Sequence, residues 1–213
     1  MIRNKLTAVQ RIEVSNDRIG NHDILSMVLQ SDIEKIRMTL EEADREAFGH
    51  TVDTILDAKR IYILGVRSAA AIASFLGFYF NLIFENVTLV NTTSASEIFE
   101  QLLRVKKGDV VIGVSFPRYS SRTVQAMNFA RDQGAVTVAI TDSEASPLAP
   151  ISTYTLKARS DMASFVDSLV APLSLVNALL VAVSRKKGDD LANTFRTLEQ
   201  IWDEYGVYEK VQE

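Results

Sequence analysis

The chain contains no cysteine, which excludes disulfides, zinc–thiolate centres and thiol nucleophiles together. It has two histidines, His22 and His50, too few for an imidazole cluster around a transition metal. No metal and no cofactor is expected. A basic excess is also lacking: 23 Lys and Arg against 27 Asp and Glu leave a net charge of −4, whereas a dedicated nucleic-acid surface is usually basic. The opening twenty residues are a local exception, with Arg3, Lys5, Arg11 and Arg18 against Glu13 and Asp17. This short basic arm reads as a solvated helix. The start, MIRNKLTAVQ, has no apolar run behind its charges and does not read as a signal peptide, so a cytoplasmic protein is expected. Two stretches approach the length of a membrane span: 68–84 has no charged residue, and 162–183 has only Asp167. The first follows a strand-like run through a Gly-Val-Arg turn, and the second holds Asp167, Pro172 and Asn177. Both read as helices buried between a sheet and a partner subunit, not as spans.

What is present is an ordinary globular composition, 47% hydrophobic and 23% charged over 213 residues, enough for one sizeable α/β domain with an appendage. The arm, 1–21, is expected to be a linker, and 22–213 the domain with its own N-terminal helices. A helical pattern over 22–45 places Ile24, Leu25, Val28, Leu29, Ile33, Ile36 and Leu40 on one stripe. A second helix is expected over 46–58. Short apolar, β-branched runs then alternate with helices. The strands are expected at 60–64 (RIYIL), 86–90 (NVTLV), 109–115 (DVVIGVS), 135–141 (AVTVAIT) and 153–157 (TYTLK). The helices between them fall at 68–84, 94–105 and 121–133, with long ones at 163–184 and 189–205. The runs are continuously apolar rather than alternating, as parallel strands covered on both faces require. The expected fold is α/β: a flavodoxin-like three-layer αβα sandwich around a five-stranded, parallel, doubly wound sheet. There is no internal repeat.

Ligands of such sheets collect at the carboxyl ends of the strands. The first strand ends LGVRS and opens directly into a helix. Gly65 permits a tight turn there, and Ser68 takes the N-cap position, where free amides and the helix dipole favour an anion or simply a cap. The dinucleotide fingerprint G-x-G-x-x-G is absent, because Arg67 and Ala70 stand at the later glycine positions. The third strand ends in a hydroxyl-rich loop, SFPRYSSRT, with two arginines able to make charge-assisted bonds. Two such turns on neighbouring strands point to phosphate binding. The fourth strand ends TDS and runs into SPLAP, a start for a short helix beside the pocket. Asp142 there suits a sugar hydroxyl or its own loop equally.

The succession strand–G-x-x-S–helix, strand–Ser-rich loop–Thr–helix, then AVTVAITDSEASPLA resembles the SIS (sugar isomerase) domain. The loop SFPRYSSRT, with DSEASPLAP after it and SFVDSLVAP later, is similar to the branch found in RpiR-type transcriptional regulators. The isomerase branch uses a shorter S-x-S-G-x-T loop, and this chain inserts Phe116 to Tyr119 and lacks its glycine. The resemblance covers roughly 33–207. It implies phosphate contacts from Ser68, Ser115, Ser120 and Thr123, with Ser121 as an extra donor. Arg67, Glu97 and Ser164, the last before the long penultimate helix, are further ligand-contact candidates. It also implies a homodimer or dimer of dimers, with contact to DNA only through a helix-turn-helix domain for which no room exists before His22. The chain is thus expected to be a shortened form of such a regulator, or a natural protein without a DNA reader.

Sugar isomerases of this type also need a general base near the sugar carbons, commonly a histidine, and none follows His50. A dimer partner could supply His50, and Glu97 or Glu100 could stand where a catalytic glutamate does, though each also reads as a helix N-terminal or solvated charge. Binding without turnover is the expectation, with aldose–ketose isomerisation as the alternative. The dimer is expected to bury α-helical Ala69, Ala73, Phe75, Gly77 and Phe78.

Overall fold

A computed structural model describes residues 6–19, 23–161 and 166–209. Three helices, α1 (Ala8–Ile19), α2 (Ile24–Glu41) and α3 (Arg45–Leu56), precede the sheet. Then follow β1 (Ile61–Gly65), α4 (Ala69–Ile83), β2 (Val87–Val90), α5 (Ala95–Leu102), β3 (Val110–Val114), α6 (Ser121–Asp132), β4 (Val136–Thr141), β5 (Tyr154–Lys157) and α7 (Val170–Glu204). All four strand pairings are parallel, in the order β2-β1-β3-β4-β5. The winding reverses between β1 and β3, which makes their carboxyl ends the topological switch point.

The continuous apolar runs are explained by two cores. Ile61 and Ile63 of β1, Val110 and Ile112 of β3 and Val138 and Ile140 of β4 pack with α3, α4 and α7 on one face. Tyr62, Leu64 and Val111 point to the other face, against Ile98 and Leu102 of α5 and Ala126, Met127 and Ala130 of α6. Successive side chains of a strand alternate faces, so a strand with a core on each side is apolar nearly throughout, and the buried Thr137 and Thr141 of β4 donate their hydroxyls to the carbonyls of Ile151 and Ser115. Each large aliphatic or aromatic side chain fully buried here contributes about 1.5–3 kcal/mol.

Three expectations are corrected. The basic arm is helical, but Arg11 is not solvated: it is 2% exposed, paired with Asp167. The penultimate helix starts at Val170 rather than 163; residues 166–169 run outside it, and Ser160 and Ser168 tie this segment together through the Ser168 carbonyl. The two long C-terminal helices are present as expected, numbered together as α7 and separated by a break at Gly188, whose φ of 53° is left-handed. The small residues of α4 face the sheet and not a partner: Ala69 and Ala73 are buried, and Gly77 packs on Leu89. Phe78 on the opposite side of α4 is exposed.

The apolar stripe of α2 remains outside both cores. Ile24, Leu25, Leu29, Ile33 and Leu40 are each more than half exposed. The inward side of α2 is polar instead. Buried Lys35 donates to Ser31 and Asp32, and Asp32 in turn accepts from Ser168. No described helix is long and apolar enough to cross a membrane.

Candidate functional site

A cleft of about 520 Å³ opens at the switch point. Its wall is made by the turns that follow β1 (Val66 to Ala69), β2 (Thr93) and β3 (Ser115 to Arg122), with Arg11 and Asp167 closing one side. The first residues of α4 and α6 both reach it, so two helix N-termini, with their unpaired amides and positive dipole ends, converge on one space.

The β1 turn is tight because α4 lies against the strand. A Cβ on Gly65 would stand 2.8 Å from the Ala69 carbonyl oxygen and 3.1 Å from the Ala73 Cβ. Gly65 therefore serves close strand–helix approach. Arg67 adopts φ 60° and Ser68 a helical φ/ψ with no side-chain cap bond, so the Ser68 hydroxyl is exposed and uncommitted to the helix.

The β3 loop is organised from within. The Ser115 hydroxyl, on a residue 4% exposed, accepts the Ser120 amide at 3.2 Å and keeps its own proton to donate. Ser120 is the N-cap of α6 and accepts the Thr123 amide. Below it, the Thr141 hydroxyl donates to the Ser115 carbonyl at 2.7 Å and lies 2.8 Å from the buried Ser146 hydroxyl. The segment after β4 thus supports Ser115, and its short helix is a single 3-10 turn, Ala149–Ile151. The Tyr119 phenol donates to Asp142 at 2.8 Å. Burial, with the bond to Asp142 and that carboxylate's charge, pushes the phenol above its ordinary range. Asp142 therefore ties down its own neighbourhood.

Arg118, with φ 67°, is the second non-glycine residue in the left-handed region, and both such residues line the cleft. Each costs of order 1–3 kcal/mol, a strain that characteristically collects at ligand sites. Among the described residues four arginines (Arg11, Arg67, Arg118 and Arg122) stand on the wall against one carboxylate, Asp167. The cleft is electropositive.

The structure thus brings together Arg67, Ser68, Ser115, Ser120 and Ser121. Two other candidates lie apart. Thr123 is fully buried beneath the wall, its hydroxyl without a hydrogen-bond partner among the described residues. Glu97 is exposed in the first turn of α5 and accepts the Thr92 hydroxyl, the place a carboxylate takes at a helix N-terminus. Ser164 and His22 lie outside the described residues. His50 is on α3, beside Glu46 and stacked with Tyr154, away from the cleft. Among the described residues no group of histidines and carboxylates could hold a metal ion. Sequence reasoning missed Arg11 and Asp167, because they meet across 156 residues of chain.

The family described as the SIS domain matches residues 54–182. An uncharacterized HTH-type transcriptional regulator of Caldanaerobacter subterraneus is 23% identical over 182 residues, 84% of this chain and 64% of that protein. The chain therefore spans less than two thirds of that relative. The crystal structure of the sugar isomerase domain of an RpiR transcription factor from Sphaerobacter thermophilus superposes with a TM-score of 0.78 at 29% identity, covering 82% of this chain and 97% of that one. The Vibrio vulnificus NanR protein complexed with ManNAc-6P superposes with a TM-score of 0.75 at 19% identity, covering 94% and 76%.

Proposed function

The chain belongs to the SIS domain family, and we propose that it acts as the phosphosugar-binding effector domain of an RpiR-type bacterial transcriptional regulator. The observation that carries this reading is the convergence at one switch point, among the described residues, of two helix N-termini, four serines and four arginines on a cleft with one carboxylate. A phosphate there accepts hydrogen bonds from the hydroxyls of Ser68, Ser115, Ser120 and Ser121, and the arginines supply charge-assisted bonds. The sugar occupies the space beside Tyr119. Relatives named as transcriptional regulators, and a similar fold holding a phosphorylated amino sugar, support the same assignment.

Sensing rather than turnover is supported by the acid–base inventory. Isomerisation needs a group able to move a proton between sugar carbons. Among the described residues the wall includes no histidine or glutamate, and the carboxylate on it, Asp167, is held by Arg11 at 2.7 Å. The exposed apolar stripe of α2 supports assembly as a homodimer or dimer of dimers. Joined to a DNA-binding domain, such a dimer would translate ligand occupancy into the spacing of two DNA readers.

Calorimetric titration with aldose, ketose and N-acetylhexosamine phosphates, each beside its unphosphorylated sugar, tests the reading. Binding of one phosphosugar without chemical change supports a sensor. Conversion of an aldose phosphate to its ketose, followed by NMR, overturns it in favour of an isomerase.

A further inference from the structure

We infer that Arg11 is a ligand-binding residue of the cleft, delivered by the N-terminal helix and positioned by Asp167, so that an anionic ligand clamps α1 onto the domain. This rests on the phosphosugar reading and adds a regulatory consequence to it.

Arg11 is 2% exposed although it comes from a hydrophilic helix. Its guanidinium reaches across to Asp167, NH1 to Oδ1 at 2.7 Å, and both residues stand on the cleft wall. Asp167 itself is 16% exposed, so the pair is largely removed from water. A guanidinium presents five N–H donors in a rigid fork. Among the described residues one of them is satisfied, by Asp167, and the buried Nε has no partner. A buried charged group with unmet donors is costly, and Asp167 is the one carboxylate among the described residues of a wall that also carries Arg67, Arg118 and Arg122, which leaves the cleft short of negative charge. A phosphate oxygen supplies both the missing acceptor and the missing charge, and bidentate pairing with phosphate is what the arginine fork is suited to.

Asp167 is the positioning residue. Its neighbour Ser168 is fixed from two sides, by bonding to Asp32 of α2 and by accepting the Ser160 hydroxyl at its carbonyl. The carboxylate therefore belongs to the rigid body and Arg11 to the arm. A ligand bound between Arg11 and the Ser115–Ser120 loop joins the two, and the N-terminal helix becomes the element whose order reports occupancy.

The test uses the full chain with inorganic phosphate as probe, then the sugar phosphate that binds most tightly. Arg11→Gln is expected to weaken both by at least about tenfold, as loss of a charge-assisted pair does, and Arg11→Lys by less. In the wild type, saturating ligand is expected to raise amide exchange protection over residues 8–19, and in Arg11→Gln to leave it unchanged. A folded Arg11→Gln that binds like the wild type, or ligand that leaves 8–19 unprotected in the wild type, overturns the inference. If Arg11→Gln fails to fold, Asp167→Asn is read in its place, and retained ligand-dependent protection in that variant overturns it equally. The phosphosugar reading fails separately: a wild type that binds neither phosphate nor any sugar phosphate sinks both. Binding lost in Ser115→Ala/Ser120→Ala but kept in Arg11→Gln sinks only the role of Arg11.

Discussion

The two ends of the sheet carry clefts of similar size, about 520 Å³ at the carboxyl ends of the strands and about 590 Å³ at the amino ends of β1 and β2. Both are largely polar, but they differ in charge and in backbone: at the amino end Lys59 and Lys187 are balanced by Glu85 and Asp190. At the carboxyl end, turns converge with hydroxyls and arginines, two of them in left-handed backbone. At the amino end, Leu56, Ile61 and Phe84 meet the kink of α7, where Lys187 lies 5.0 Å over the Phe84 ring and Lys186 pairs with Asp53. The larger space is the less suited to an anion. Parallel strands point every following helix N-terminus to the same end, so dipoles and free amides accumulate there whatever the volume elsewhere. Strand direction, not cavity size, nominates the site.

The sharpest way to break this contrast is to disturb a glycine at each end. Gly65→Ala puts a Cβ against the Ala69 carbonyl. It should cost about 1–3 kcal/mol by overpacking and displace the Ser68 turn, so denaturant unfolding and phosphosugar titration should both worsen. Gly188→Ala meets nothing within 4 Å and pays for its left-handed φ alone. About 1–2 kcal/mol of stability should go, with binding intact.

Next in size is Ser115→Ala with Ser120→Ala. Two hydrogen bonds to a charged ligand are worth about 1.5–3 kcal/mol each, so calorimetry should find affinity reduced at least a hundredfold. Arg118→Gly separates strain from function. Relief of the φ of 67° should leave stability unchanged or raise it by up to about 1 kcal/mol, while ligand binding weakens. Smallest is Lys187→Ala at the amino end, where loss of the cation–π contact should cost about 0.5–1 kcal/mol. An accompanying change in phosphosugar affinity would contradict the assignment of the site to the other end.

Much of the fold was legible because its signals are local. Ile61 to Leu64 must be a strand with two covered faces, since no polar residue interrupts it, and the turns after β1 and β3 announce themselves by hydroxyls beside apolar runs. What was not legible depends on contacts distant in sequence. Arg11 and Asp167 carry no pattern that links them, and the strained φ of Arg67 and Arg118 leaves no trace in residue type. Thr123 fits a motif by spacing, yet its hydroxyl is turned into the interior. The apolar stripe of α2 shows the opposite limit: periodicity revealed a one-sided helix, and only the packed structure shows that the stripe faces away from both cores.

The central claim is that the carboxyl-end cleft binds a phosphorylated sugar through its phosphate, and thermal unfolding against matched sugar and sugar-phosphate pairs tests it most directly. A ligand at a hundred times its dissociation constant adds about 2.7 kcal/mol of stability. The account predicts a shift of that order for at least one phosphosugar, none for its unphosphorylated counterpart, and loss of the shift in Ser115→Ala/Ser120→Ala. Equal stabilisation by the phosphorylated and unphosphorylated forms, or a shift that survives the double substitution, would contradict it.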